Sequence, residues 1–177
     1  MKVLAFSDLH LDEYALREII NQSSSVDLVV CAGDVSQFGN GLSKVMTALK
    51  EVSGELLLIP GNNDPVRQTQ EYCQEFGFTY FHNAIVKRGK HYFAGLGAGL
   101  PGINSPFELT EKEMKKVLNK FKGKENLILV SHAPPKGPLG ETRFGTNIGS
   151  ESVLEFIQEE QPTMCWTGHC HETAGQE

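Results

Sequence analysis

The chain has no long apolar run, no basic run and no paired-cysteine motif, and each absence removes a class of protein. None of the apolar stretches in its 177 residues approaches the roughly 20 that span a bilayer. The start, MKVLAFSDLH, enters strand-like sequence directly, without the basic region, apolar segment and small-residue cleavage site of a secretory leader. Cys31, Cys73, Cys165 and Cys170 form no C-x-x-C pair, and two of them lie inside apolar runs where a buried thiol is the plain expectation. The expected setting is therefore a reducing one, the cytoplasm, with no disulfides and no membrane contact. A formal charge of −6 argues against a broad nucleic-acid surface, although bound cations would make one acidic site attractive to phosphate. No repeat, low-complexity segment or linker interrupts residues 1–177, so a single domain is expected, long enough to bury a core without staples.

What the chain does have is a series of strand-like runs that end in metal-ligand residue types. Leu28 to Asp34, LVVCAGD, stops at a glycine that lets the chain turn, followed by an aspartate at the carboxyl end of the strand, where open α/β sheets hold their ligands. Lys2 to Phe6 is followed by Ser7-Asp8-Leu9-His10, and on extended backbone Asp8 and His10, two apart, would point the same way. Glu55 to Ile59 runs into Pro60-Gly61-Asn62-Asn63-Asp64-Pro65. Asp64 before Pro65 reads as a helix cap, which explains much of the segment but not Asn62, whose carbonyl could serve as a neutral oxygen ligand. Leu127 to Val130 leads to Ser131-His132-Ala133-Pro134-Pro135, and Thr163 to Thr167 leads to Gly168-His169-Cys170-His171. On extended backbone the last two histidines would share a side and Cys170 would point away from it.

Helices fill the intervals. The apolar spacing predicts one over Glu13 to Gln22 behind an Asp12 cap, and another over Leu42 to Val52. A capping box at Thr110 opens a helix to about Phe121, and Ser152 with Glu155 suggests a second box for a helix to Glu160. Ala84 to Lys87 and His91 to Leu96 read as a hairpin. His82 and His91 are expected to be ordinary surface or packing residues. The segment Gly95 to Gly102 either shapes a pocket or merely connects elements. Between Pro134 and Gly149 the chain is irregular, and Arg143 there is either a phosphate clamp or a solvated surface residue.

The ordered motifs D-x-H, G-D, G-N-x-D, H-x-P-P and G-H-x-H resemble those of the calcineurin-like metallophosphoesterases, over essentially the whole chain. The resemblance implies a four-layer αββα sandwich with a two-metal site between the sheets. It implies Asp8, His10, Asp34 and His171 on one metal and Asp34, Asn62, His132 and His169 on the other, with Asp34 shared. Asn63 and Asp64 within G-N-x-D, together with Arg143 from its loop, are the candidate catalytic residues. Two ions about 3.5–4 Å apart can share a carboxylate and a hydroxide that attacks phosphorus in line. Mixed oxygen and imidazole ligation suits manganese, zinc, iron or nickel better than calcium or magnesium, with manganese preferred.

Two departures qualify the expectation. Many relatives have histidine after the motif's asparagine, where this chain has Asn63, which cannot supply a proton near neutral pH; a positioned general acid is worth roughly a hundred- to ten-thousand-fold. A phosphodiesterase on a small diester with a good leaving group is therefore expected. The alternatives are a phosphomonoesterase on the same site and a non-catalytic metal-binding scaffold resembling the retromer subunit. The family also usually continues past G-H-x-H into strands that complete the second sheet, so an uncovered edge is expected after Glu177, explained either by truncation or by a homo-oligomeric contact. DNA-repair nucleases share such a site, but no basic stripe is present.

Overall fold

The computed structural model describes residues 1–176. Its first sheet contains β1 (Val3–Phe6), β2 (Leu28–Cys31), β3 (Glu55–Leu58) and β4 (Thr79–Tyr80), all parallel and in that order. The second contains β5 (Ala84–Arg88), β6 (His91–Leu96), β7 (Leu127–Ser131) and β8 (Met164–Thr167), with β5 antiparallel to β6 and the rest parallel.

Alternation along the strands divides the interior into three layers of side chains. Val29, Cys31, Leu56 and Leu58 face outward onto α1 (Glu13–Ser23), α2 (Leu42–Ala48) and α3 (Val66–Phe76) through Leu16, Val45, Met46 and Cys73. Their neighbours Leu28, Val30 and Leu57 face the other way and meet Phe93, Ile128 and Val130 of the second sheet. Ala94, Leu96, Leu127 and Leu129 then pack outward onto α4 (Glu111–Leu118) and α5 (Glu151–Glu160) through Met114, Val117, Val153 and Phe156. The order is helix, sheet, sheet, helix. Strands buried on both faces explain why these segments read as unbroken apolar runs. Truncating the fully buried Phe93 to alanine would open a void between the sheets at a cost of roughly 3–5 kcal/mol.

Several local expectations are corrected. The caps of α1 and α4 form as read: Asp12 Oδ1 accepts from the amides of Tyr14 and Ala15 at 2.9 and 3.0 Å, and Thr110 with Glu113 forms a capping box. The cap of α5 is Ser150, not Ser152, because the Glu111 carboxylate from α4 already occupies that helix start, accepting from Ser150 Oγ and from the amides of Glu151 and Ser152. Asp64 does not cap α3; the residue before that helix is Pro65, with no side-chain cap. The helix expected over Leu42 to Val52 tightens into a 3₁₀ turn at Leu49–Glu51, and Val52 is extended. Strand β4 was not legible, being two residues long.

β1 and β8 end their sheets on one side among the described residues. A cleft of about 830 Å³ lies between them, lined by Phe6, Ala32, Leu139, Cys165 and Trp166 among others.

Candidate metal centre

The first sheet contributes Asp8, Asp34 and Asn62 from the segments that follow β1, β2 and β3, and the second contributes His132, His169 and His171 from those that follow β7 and β8. The segments do not stay extended. Asp8, His10, Asp34 and His169 all have φ in the left-handed region, at 56°, 41°, 57° and 72°. The reading of Asp8 and His10 as one face of a strand is therefore corrected, as is the matching reading of His169 and His171: each chain turns on leaving its sheet, and His171 begins a 3₁₀ turn. Such backbone costs about 1–3 kcal/mol per residue and persists where the surroundings over-determine it. Here cross-loop hydrogen bonds do so, from Asp8 N to Gly33 O at 2.9 Å and from His10 N to Asp34 O at 3.1 Å. The turn after β2 also needs Gly33, at φ 98°, and its neighbour Gly61; a Cβ on either would run into the other loop's backbone.

The turns gather two groups of ligand atoms. In the first, His10 Nε2 and His171 Nε2 are 3.1 Å apart, and Asp8 Oδ1 lies 3.5 Å from His171 Nε2 and 3.8 Å from His10 Nε2. In the second, Asp34, His132 and His169 converge, with Asn62 Oδ1 2.9 Å from His132 Nε2. Asp34 belongs to both by distance: its Oδ2 is 3.4 Å from His132 Nε2 and 3.5 Å from His10 Nε2. The two histidines that flank Cys170 thus separate, His171 to the first group and His169 to the second. Cys170 is in neither; its thiol donates to the Glu141 carbonyl at 3.5 Å.

Two backbone carbonyls, which no sequence signal marks, aim the imidazoles. Ser36 O accepts from His10 Nδ1–H at 3.1 Å, and Ala32 O accepts from His132 Nδ1–H at 2.9 Å. With its Nδ1 proton committed, neutral His132 turns the Nε2 lone pair towards Asn62 Oδ1 and Asp34 Oδ2. A lone pair facing two oxygen acceptors requires a cation among them, so the donor set fits a divalent transition ion. Without an ion a proton takes the place. Burial, the largest influence on His132, disfavours its charged form, yet the Asp34 carboxylate, by charge and hydrogen bond, carries the imidazolium pKa up to about 9. Burial likewise pushes the Asp8 carboxyl up, but the His171 contact and the His132 charge outweigh it and hold Asp8 at about 2. His169 is lowered to about 4 by burial and by its proximity to His132.

The residues put forward as catalytic divide. Asn63 grips Asp34 with both its amides and accepts from Phe38 N at 3.3 Å through its own carbonyl, so its side chain is spent on orienting Asp34. Asp64 is fully buried, and its carboxylate accepts from Ser36 Oγ and from the amides of Val35, Ser36 and Gly61. A carboxylate with its oxygens enclosed by four donors ties the loop after β2 to the loop after β3. Arg143 lines a recess of about 430 Å³ with His169, His171 and Glu172, which places it at the edge of the site. The glycine-rich loop packs against Asn62 and His169. A Cβ on Gly99 would sit 3.1 Å from Asn62 Cβ and 3.2 Å from His169 Cε1, and Phe107 N donates to Asn62 O at 3.0 Å. His82 and His91 lie outside both ligand groups; His82 accepts from Gly97 N and packs edge-on against Phe107.

The profile of the calcineurin-like phosphoesterase family matches residues 1–173. The chain belongs to that family. Among relatives of this calcineurin-like phosphoesterase is the uncharacterized protein MJ1162 of Methanocaldococcus jannaschii, 33% identical over 98% of this chain and 81% of the relative. A probable glycerophosphodiester phosphodiesterase GpdQ of Arcobacter nitrofigilis is 26% identical over 93% of this chain, which spans 64% of that protein's length. Among solved structures, TT1561 of Thermus thermophilus superposes with a TM-score of 0.72 at 18% identity, covering 93% of this chain and 80% of that one, a likeness of fold. The phosphoesterase family uses divalent metal ions, and the two ligand groups give this member a place for them. No helix among the described residues is long and apolar enough to cross a membrane.

Proposed function

We propose that this phosphoesterase is a dinuclear metal-dependent phosphodiesterase acting on a small diester in the cytoplasm. The observation that carries the reading is the position of Asp34 Oδ2, 3.5 Å from His10 Nε2 in one ligand group and 3.4 Å from His132 Nε2 in the other. In this account Asp34 is the shared ligand, Asp8, His10 and His171 complete one site, and Asn62, His132 and His169 complete the second. Divalent ions held there, manganese first and zinc, iron or nickel as alternatives, would supply Lewis acidity and would lower the pKa of water at neutral pH. The protein's own part is geometric and electrostatic. Asn63 and the Ala32 and Ser36 carbonyls fix the ligands, while Arg143 at the rim attracts and orients a non-bridging phosphate oxygen.

The diester preference draws on two supports. The relative from Arcobacter nitrofigilis carries a phosphodiesterase name. Asn63 supplies no proton to a leaving group, which favours diesters that leave readily. The net charge of −6 weighs against nucleic acid as the substrate. The test is to reconstitute metal-free protein separately with manganese, zinc, iron and nickel and assay a model diester, a model monoester and a cyclic nucleotide. Diester turnover exceeding monoester turnover with at least one metal is expected. Two bound ions with no turnover of any substrate would replace the enzyme reading with the scaffold.

A further inference from the structure

Arg143 and Glu172 reach the same side of the metal centre from different segments of the chain. They line one recess with His169 and His171. The Arg143 guanidinium lies over the Phe144 ring, 4.8 Å from its centroid, and the arginine ion pairs among the described residues are those of Arg17, Arg67 and Arg88. Its charge is therefore available to a ligand. Glu172 is exposed and turned towards this recess: Oε1 accepts from Arg143 N at 3.4 Å, and Oε2 lies 3.9 Å from the Cys170 thiol. The 3₁₀ turn that carries it is fastened by Thr173 Oγ1, which donates to Leu139 O at 2.9 Å. A site that recruits phosphate thus presents a carboxylate on a fastened turn, one residue from His171, a charge that attraction of an anion alone does not call for.

We propose that Glu172 is a specificity-determining residue that admits monoanionic phosphodiesters and disfavours dianionic phosphomonoesters. The inference rests on the phosphodiesterase reading above. Both substrate classes are drawn by Arg143 and by the ions, and both are repelled by Glu172, but the repulsion grows with the second negative charge that a monoester carries near neutral pH. Across several ångströms of partly hydrated space one additional unit charge is worth about three- to tenfold in affinity, and it is screened by salt.

The test compares wild type with Glu172→Gln, which keeps an acceptor for Arg143 N and removes the charge, and with Glu172→Asp, which keeps the charge. Two readouts are taken at low and high ionic strength on protein of measured metal content. One is kcat/KM for bis(4-nitrophenyl) phosphate against 4-nitrophenyl phosphate, and the other is calorimetric affinity for dimethyl phosphate against inorganic phosphate. Glu172→Gln should shift both ratios towards the dianion by about three- to tenfold, the shift should shrink at high salt, and Glu172→Asp should stay near wild type. Unchanged ratios in Glu172→Gln, or the same shift in Glu172→Asp, would overturn the proposal. Absence of turnover by wild type with every metal would instead sink the phosphodiesterase reading, and the calorimetric ratio would still decide the role of Glu172.

Discussion

Asn63 holds Asp34 at two points, its backbone N–H donating to Oδ1 at 2.8 Å and its side-chain amide to Oδ2 at 2.6 Å. The oxygen that lies between the two ligand groups is therefore aimed by the residue that stands where many relatives have histidine. The asparagine at this position trades a proton donor for a rigid brace.

That contact predicts the behaviour of two substitutions. Asn63→Ala removes one hydrogen bond to a carboxylate, worth roughly 1.5–3 kcal/mol, so the affinity for the metal pair should fall by about ten- to a hundredfold; metal titration monitored by calorimetry measures it. Asn63→His trades that brace for a titratable group, and the ratio of alkyl to aryl phosphodiester turnover should rise even where overall turnover falls. An unchanged ratio would show that position 63 does not face the leaving group.

The ion-free protein should be most stable near pH 6.5. His132 has its pKa raised from 6.5 to about 9, so its contribution is fully present below about pH 6.5 and is lost as pH rises towards 9. His169 is lowered from 6.5 to about 4, so its contribution is present above about pH 6.5 and is lost as pH falls towards 4. Melting temperatures of chelator-treated protein across pH 4 to 9 should trace a maximum between these flanks. Saturating metal should flatten the alkaline side, because an ion then takes the place of the proton on His132. A flat alkaline limb without metal would contradict the described environment of His132.

Asp64 should matter to stability before it matters to chemistry. Asp64→Ala strands the Val35, Ser36 and Gly61 amides in a buried loop pair, while the Ser36 hydroxyl keeps Asn63 O as acceptor, and each unsatisfied group costs about 1–3 kcal/mol. A loss of roughly 3 kcal/mol or more in denaturant unfolding is expected, with Asp64→Asn recovering part of it because the amide oxygen still accepts. Equal stability with abolished turnover would instead make Asp64 a catalytic residue.

The strand exits were legible as apolar runs that stop at ligand residue types, while the layer order came from the family resemblance. Runs such as Leu28 to Cys31 and Leu127 to Val130 are apolar throughout since both faces are covered, and each stops shortly before ligands begin. The family motifs then assigned the histidines to groups, which periodicity alone could not do. What escaped the sequence were long-range contacts. Ser36 O and Ala32 O aim histidines through main-chain atoms that carry no residue signature. Glu111 reaches from one helix to the start of another and displaces the local cap suggested by Ser152. Asp64 looked like a cap because the residue after it is proline, yet its partners come largely from a loop almost thirty positions earlier. The left-handed backbone at Asp8, His10, Asp34 and His169 was equally hidden, since the sequence places no glycine at those positions.

The central claim is that Asp34 serves both ions, and metal content after substitution tests it most directly. Asp34→Asn, Asp8→Asn and Asn62→Ala should be loaded under identical conditions and their bound metal counted by elemental analysis after removal of free ions. The account predicts that Asp34→Asn weakens both ions and abolishes turnover, while Asp8→Asn and Asn62→Ala each lose mainly one ion. Two retained ions with near-normal turnover in Asp34→Asn would contradict the shared ligand and the division of the site built on it.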